Sequence, residues 1–120
     1  MLAGLRTIAL TSNGVTLQRQ LCALSEAGLD AVNLSLDTLV PARFEKLSRR
    51  PASAWRHVWR SLECALQLGY AARTPRPLKL NVVLMRGANH DELADFVALT
   101  ERMVETDDLT PNHNLISFVP

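Results

Sequence analysis

Polar side chains of the kinds that bind polar ligands recur along one side of a strand-like stretch, Ala31–Asp37. Its polar and aliphatic residues alternate strictly: Asn33, Ser35 and Asp37 against Val32, Leu34 and Leu36. Because successive side chains of a strand point to opposite faces, the polar groups share one face and the aliphatic groups the other. Polar groups in a buried sheet are costly unless they are paired or line a wet cavity. The stretch therefore predicts one wall of a binding site.

Two further strand-like stretches repeat this pattern. Leu5–Thr11 places Thr7 and Thr11 on one face, and Leu78–Leu84 places Lys79 and Asn81 on one face. Together the three faces offer hydroxyls, amides, one carboxylate and one cation, a mixture that suits ribose hydroxyls, a carboxylate or amine, and phosphate. We expect them to line a shared lumen that holds a polar ligand. The sequence has no Walker loop, no G-x-G-x-x-G and no nucleophile beside a base, which favours an enzyme whose reactive group is a cofactor.

The elements that must position these groups alternate along the chain. Helices are predicted over Val15–Ala27, Ala42–Leu47, Ser53–Leu68 and Asp91–Met103, and a last strand over Leu115–Val119. Ser53 is predicted as a helix N-cap, and the spacing of Asn89 and Glu92 predicts a capping box. The order β-α-β-α-α-β-α-β predicts an α/β fold with a parallel sheet. It is either a small doubly wound domain or a section of a (β/α) barrel, since a whole barrel takes about 250 residues.

Several conspicuous residues have structural interpretations. Trp55 and Trp59 follow the helical period together with aliphatic residues, which indicates core or interface anchors. Cys22 and Cys64 are expected to be reduced, largely buried thiols, because neither has a Cys or His at metal-ligand spacing. The pair Arg49–Arg50 is either a solvated turn or a basic pair that faces phosphate.

Composition restricts the class of protein. The chain has 120 residues with 48% apolar content, and its net charge of +1 comes from interspersed basic and acidic residues. We therefore expect one domain or a piece of one, and neither a nucleic-acid partner nor a membrane partner. No apolar run approaches the roughly 20 residues that span a bilayer. The first residues lead directly into strand-like sequence, so we expect no secretory or transit segment in them.

The motifs resemble those of one family. The runs IALTSNG, LCALSEAGLDAVNLSLDTLVPARFEKLSRR and LKLNVVLMRGANHDELADFVALTE resemble, in order and spacing, the molybdenum cofactor biosynthesis protein A family. Members of that family are radical S-adenosylmethionine (SAM) enzymes, the GTP 3',8-cyclases. The resemblance covers about residues 5–101. It implies a parallel-sheet section of an incomplete TIM-like (β/α) barrel, with residues 1–120 as one partial radical SAM barrel domain.

The resemblance also implies roles for individual residues. Thr11, which opens the T-S-N-G turn, and Lys79 in K-L-N match residues that contact GTP in the family. Ser35 in N-L-S-L-D-T matches a residue that contacts SAM. In the family, a [4Fe–4S] cluster cleaves SAM to a radical that abstracts hydrogen from the ribose of GTP, and a second cluster helps to hold GTP. All three residues lie on the polar strand faces that alternation alone predicts.

The sequence also departs from the family pattern. It lacks the C-x3-C-x2-C cluster motif, so we expect no metal ligands and no catalytic residue in this chain. About seven additional residues lie around Ala71–Pro77, and Val119 stands where a SAM-contacting methionine is expected. The cysteines of the second cluster are expected beyond Pro120.

Two functions remain open on the sequence alone. The chain is a section of a GTP 3',8-cyclase that is inactive by itself, or it is a non-catalytic nucleotide-binding, SAM-binding or regulatory half-barrel derived from that enzyme. The resemblance implies GTP as substrate, a homodimer and cooperation with molybdenum cofactor biosynthesis protein C. It also implies an intracellular location, in the mitochondrial matrix for an animal protein or in the cytoplasm for a bacterial one.

Overall fold

A parallel sheet of four strands forms the centre of the structure. The computed structural model describes residues 7–71 and 74–102, and the backbone of residues 116–119. The strands are β1 (Ala9–Ser12), β2 (Ala31–Ser35), β3 (Leu78–Val83) and β4 (Ile116–Val119). Their order in the sheet is their order in the chain, and every pair is parallel.

The helices follow the strands in the predicted alternation. They are α1 (Leu21–Glu26), α2 (Pro41–Ser48), α3 (Ser53–Gln67) and α4 (Leu93–Arg102), with 3-10 turns at Leu17–Arg19 and His90–Glu92. The 15-residue α3 buries a stripe at helical spacing: Ala54, Val58, Ser61, Leu62 and Ala65. α2 begins with Pro41, which suits a first helical turn, and ends where Arg49 takes a left-handed backbone with φ 59°.

The described helices bury one face of the sheet and leave its other face open. The covered face is aliphatic and fully buried, contributed by Val32, Leu34, Leu78, Leu80 and Val82. These residues form one core with α3 residues such as Leu62 and with Phe96 of α4. On the opposite face Thr11, Ser35 and Lys79 are exposed. A doubly wound domain carries helices on both faces, whereas sequential parallel strands with helices on one face form a section of a (β/α) barrel. The structure therefore decides for the barrel section.

The first predicted helix is shorter than expected. Val15–Ala27 was predicted as one helix, but a 3-10 turn at Leu17–Arg19 and the six-residue α1 replace it. The backbone N–H of Gln18 donates to Ser61 Oγ at 3.1 Å rather than to a local carbonyl, and Ser61 donates to Gly14 O at 2.6 Å. A contact with α3 therefore holds this segment, which the local pattern could not indicate.

Other predictions about the helical layer were wrong in detail. Ala52, not Ser53, is the N-cap of α3, and no side chain caps that terminus. The last helix begins at Leu93 rather than at Asp91; Leu93 is 41% exposed, and the buried residues of α4 are Phe96, Leu99 and Thr100. Cys22 is exposed, against the prediction of a buried thiol, and Cys64 is partly buried.

The two tryptophans of α3 pack as predicted. Their rings stack with centroids 5.3 Å apart at 11°. Trp59 packs against the main core and Trp55 against a smaller cluster around Leu36 and Phe44. The Trp55 indole N–H also donates to Thr38 O at 3.0 Å.

At the end of the sheet where the strands begin, Arg76 fastens the segment before β3. Its guanidinium lies 4.0 Å over the ring of Tyr70, donates to Leu68 O at 2.8 Å and contacts Ser25. The Tyr70 hydroxyl in turn donates to Leu29 O at 2.7 Å. The segment before β3 is thus held to the helical layer by buried and partly buried contacts.

Candidate functional site

Residues of three strands form rows across the open face of the sheet. In the parallel register Thr11 pairs with Asn33, and Asn33 pairs with Lys79. Adjacent strands are about 4.8 Å apart, so Thr11 and Lys79 flank Asn33 at about 10 Å from each other. The Asn33 amide donates to Thr11 Oγ1 at 3.3 Å. Because Thr11 Oγ1 accepts this hydrogen bond, its own proton remains for another acceptor on the open face.

The next row lies nearer the ends of the strands. Ser35 pairs with Asn81, two residues beyond the Asn33–Lys79 pair and about 7 Å further along. The face thus brings together Thr11, Ser35 and Lys79, the three residues for which the resemblance implies ligand contacts. Lys79 is the second residue of β3, whereas barrel sites are usually built at the carboxyl ends of the strands. Its long side chain is exposed, so its ammonium group is accessible from the open face.

Asp37 extends the polar face past the end of β2. Its Oδ1 accepts the backbone N–H of Val83 at 2.9 Å, while the Leu36 N–H donates to Asn81 O at 3.0 Å. A side-chain oxygen therefore continues the β2–β3 pairing where the backbone leaves the sheet. This also explains why the predicted strand Ala31–Asp37 ends at Ser35 as a regular strand.

The turn after β1 borders the same face. Asn13 Oδ1 accepts the Val15 N–H and Ser12 Oγ accepts the Gly14 N–H, each at 3.0 Å. Such side-chain acceptors hold a tight turn. Gly14 has φ +77°, a left-handed conformation.

A cavity of about 120 Å³ opens beside Ser35. Its polar lining comes from Asn13, Ser35, Asp37, Ser48 and Arg50, and its apolar lining from Val15, Phe44 and Leu47. Most of one wall is therefore α2 together with Arg50, the second residue after its end. Small-molecule sites typically combine apolar surface with a few convergent polar groups. Arg50 lines the cavity, which favours the ligand-facing interpretation of the Arg49–Arg50 pair.

A buried polar network supports the carboxyl ends of β2 and β3. Glu92, 3% exposed, accepts from the Thr38 hydroxyl at 2.6 Å and from the Leu39 N–H at 2.7 Å. Asn89, fully buried, accepts the Met85 N–H and donates to Asp37 O and Val83 O, at 2.7 to 2.8 Å. The prediction of a capping box was wrong, because no side chain caps the 3-10 turn His90–Glu92. We call Thr38, Asn89 and Glu92 the strand-end network.

An ion pair borders this network on the solvent side. The Arg43 guanidinium donates to both carboxylate oxygens of Asp91, at 2.7 and 2.9 Å, and to Glu92 Oε2 at 3.1 Å. The hydrogen bond from Arg43 holds the pKa of Asp91 below its ordinary value. The same contacts raise the pKa of Arg43, so the guanidinium stays charged. Sequence reasoning missed Arg43, Asn89 and Glu92 as supports of this edge, since the partners lie about fifty residues apart in the chain.

The fold is a (β/α)-barrel section in which three strands present an open polar face. The sequence matches the radical SAM superfamily over residues 2–100. The chain belongs to the radical SAM superfamily.

The chain is also similar to individual proteins that carry names. The chain is 55% identical over 100 residues, 83% of its length, to molybdenum cofactor biosynthesis protein 1 of Mus musculus. It is 46% identical over 119 residues, 99% of its length, to the mitochondrial GTP 3',8-cyclase of Arabidopsis thaliana. It is also 46% identical over 99 residues, 82% of its length, to the GTP 3',8-cyclase of Heliobacterium modesticaldum. The predicted resemblance is confirmed.

The chain spans only a part of these relatives. It covers 15% of the mouse protein, 27% of the Arabidopsis protein and 28% of the Heliobacterium protein. No solved structure matches the chain significantly.

The polar side chains on the open face have the chemistry to bind SAM, but they are not the thiolates that hold an iron–sulfur cluster. Ser35 and Asp37 beside the cavity supply a hydroxyl and a carboxylate, which suit ribose hydroxyls and an amine. The two cysteines lie in α1 and α3, in the helical layer away from this face. Within residues 7–71 and 74–102 no group of three or more metal-ligating side chains occurs. Val119 lies in β4, and its side chain is outside the described part of the chain.

None of the helices in the described residues combines the length and the apolar content that a membrane span requires.

Proposed function

We propose that this chain is the central barrel section of a GTP 3',8-cyclase, the enzyme that converts GTP to (8S)-3',8-cyclo-7,8-dihydroguanosine 5'-triphosphate in molybdenum cofactor biosynthesis. One observation carries the proposal. The three residues that match the family's ligand contacts, Thr11, Ser35 and Lys79, share an exposed polar face of the sheet, while the aliphatic residues of β2 and β3 on the opposite face are fully buried. The names of its relatives supply the reaction.

Each residue has a distinct role in this proposal. The Lys79 ammonium attracts the triphosphate of GTP and donates charge-assisted hydrogen bonds to it. The Thr11 hydroxyl, which already accepts from Asn33, donates its proton to GTP. Ser35 binds SAM at the edge of the 120 Å³ cavity. When SAM is bound to a cluster held outside this chain, it supplies the radical chemistry, and the residues of the open face bind and orient the two ligands.

Ligand-binding measurements on the complete gene product test the proposal. We expect Lys79→Ala to raise the dissociation constant for GTP at least tenfold, because a hydrogen bond to a charged group contributes about 1.5–3 kcal/mol. We expect Ser35→Ala to raise the dissociation constant for SAM about 2- to 10-fold, as for a neutral hydrogen bond. Each variant leaves the affinity for the other ligand within about twofold of wild type. Isothermal titration calorimetry with each ligand alone measures all four values.

Matched controls lie in the helical layer. Lys46→Ala in α2 and Ser53→Ala in α3 remove the same functional groups from exposed positions. We expect both controls to bind GTP and SAM as wild type does. Wild-type affinity in Lys79→Ala and Ser35→Ala, or equal losses in the controls, would contradict the proposed roles.

The location and the assembly state are proposals of the same kind. The Arabidopsis relative is named as a mitochondrial protein. We propose a mitochondrial location if this chain comes from an animal and a cytoplasmic one if it is bacterial. The homodimer and the cooperation with molybdenum cofactor biosynthesis protein C follow from the resemblance alone.

A further inference from the structure

The segment after β2, residues 37–40, accepts hydrogen bonds from the Trp55 indole of α3 and from the Val83 N–H of β3, and its other tertiary hydrogen bonds go to side chains of the connection between β3 and α4. Asp37 O accepts from Asn89, the Thr38 hydroxyl donates to Glu92, and the Leu39 N–H donates to the other oxygen of Glu92. Thr38 Oγ1 also accepts the Val40 N–H at 3.1 Å. This segment joins Ser35 and Asp37 on the open face to α2, which forms most of one wall of the cavity. Its conformation therefore sets the distance between the polar face and that wall.

Every member of the strand-end network is buried and hydrogen-bonded. Thr38 and Asn89 have no exposed surface, and Glu92 is 3% exposed, so a partner lost from one of them is not replaced by bulk water. Among residues 7–71 and 74–102, no buried side-chain nitrogen or oxygen lacks a hydrogen-bond partner. A fully satisfied buried network fixes one geometry, because each displacement leaves a buried group unpaired.

We propose that Thr38, Asn89 and Glu92 are positioning residues for the SAM side of the open face. They touch no ligand; they hold Asp37, and through it Ser35 and the start of α2, in the arrangement that forms the cavity. The inference rests on the proposed function for the identity of the ligand. The row of Thr11, Asn33 and Lys79 lies further back in the sheet and does not depend on this network.

Two substitutions at Thr38 test the inference in the complete gene product. Thr38→Val keeps the shape but removes the proton that Glu92 accepts and the oxygen that accepts the Val40 N–H. We expect it to raise the dissociation constant for SAM at least fivefold and to leave that for GTP within twofold of wild type. Thr38→Ser keeps the hydroxyl, and we expect it to restore SAM affinity to within twofold. Both are measured by calorimetry at a temperature at which the protein is fully folded.

A control at the other end of the sheet separates positioning from loss of stability. Tyr70→Phe removes the buried hydrogen bond that the hydroxyl donates to Leu29 O and the one that it accepts from Arg76, at the end where the strands begin. We expect it to lower the melting temperature while both affinities stay within twofold of wild type. Equal SAM affinity in Thr38→Val and wild type, or an equal loss in Tyr70→Phe, would overturn the inference.

Amide hydrogen exchange without ligand supplies a readout that is independent of the proposed function. We expect Thr38→Val to accelerate exchange at Leu39 and Val40 at least tenfold and to leave Val32 and Leu34 of β2 unchanged. Unchanged exchange at Leu39 would overturn the inference even if the ligand assignment holds. A wild-type protein that binds no SAM would instead contradict the proposed function, and the exchange rates would still decide whether the network holds this segment.

A second variant covers a Thr38→Val protein that does not fold. Glu92→Gln keeps one oxygen acceptor for the Leu39 N–H but turns the oxygen that faces Thr38 and Arg43 into a donor. We expect the same selective loss of SAM affinity and the same local acceleration of exchange. Wild-type values for both would overturn the inference.

Discussion

Gly14 occupies a backbone position that another residue enters only with strain. Its φ of +77° is left-handed, and a Cβ built there would lie 3.1 Å from Val58 Cγ1 and 3.3 Å from Leu34 Cδ2. Both neighbours belong to the buried cores beneath the sheet. The turn that carries Asn13 to the edge of the cavity therefore depends on the absence of a side chain at this residue.

Replacement of Gly14 tests this argument at the scale of one residue. We expect Gly14→Ala to lower the free energy of unfolding by about 2–5 kcal/mol, from about 1–2 kcal/mol for the left-handed backbone and about 1–3 kcal/mol for overpacking. Urea unfolding followed by tryptophan fluorescence measures the loss. Gly87→Ala is the control, because Gly87 has φ +80° but nothing within 4 Å of the added Cβ. It isolates the backbone cost of about 1–2 kcal/mol, and equal losses in the two variants would refute the steric contribution.

At the scale of elements, Arg43 joins α2 to the 3-10 turn that precedes α4. Its bidentate contact with Asp91 is on the surface, where the side chains of Arg43 and Asp91 are 39% and 56% exposed. Exposed ion pairs contribute little to stability, and salt screens them. The buried strand-end network, rather than this ion pair, holds the connection between β2 and α2 to the connection between β3 and α4.

The ion pair has a predictable pH dependence. Because Arg43 lowers the pKa of Asp91 from 3.8, the carboxylate contributes stability above pH 3.8 and loses this contribution as the pH falls through its lower, folded-state pKa. We expect Asp91→Asn to be less stable than wild type at neutral pH and to approach it as the pH falls below 3.8. Urea midpoints over a pH series measure the difference. A difference between Asp91→Asn and wild type that grows in acid would contradict the assignment.

At the scale of the whole molecule, the sheet of this 120-residue chain has two edges. β1 and β4 are the outer strands, and in the described residues no further strand pairs with β1. Ile8 O accepts backbone N–H groups from Asp30 and Ala31, so the backbone of Ile8 faces β2. Because successive residues of a strand direct their backbone groups to opposite sides, the next residue along the strand faces away from β2. The exposed Ala9 is such a residue. An unpaired edge is a template for another strand.

The isolated chain is therefore expected to self-associate. Analytical ultracentrifugation should show concentration-dependent oligomers of the 120-residue chain. Ala9→Pro should reduce this association, because proline removes an outward N–H without interrupting the pairing with β2. A monodisperse monomer at all concentrations, or unchanged association in Ala9→Pro, would contradict edge pairing as the cause.

Much of this architecture was predictable because it depends on local periodicity. Two-residue alternation places Asn33 and Ser35 on one face and Val32 and Leu34 on the other, and this prediction is confirmed. The hydrogen-bond partners of Asn89 and Glu92 were not predictable. Their spacing also fits a capping box, and only the folded chain brings Thr38 and Leu39 within hydrogen-bonding distance of Glu92 across more than fifty residues.

The sequence by itself determined the order of strands and helices, the identity of the polar face and the family to which its motifs point, because each depends on residues that are near one another in the chain. Only the tertiary structure decided that the helices cover one face of a sequentially ordered sheet, so that the fold is a barrel section rather than a doubly wound domain. It also decided that Thr11 and Lys79 flank Asn33 in one row and that Glu92 holds the end of β2. These relations come from strand register and from contacts between distant segments, which only chain packing establishes.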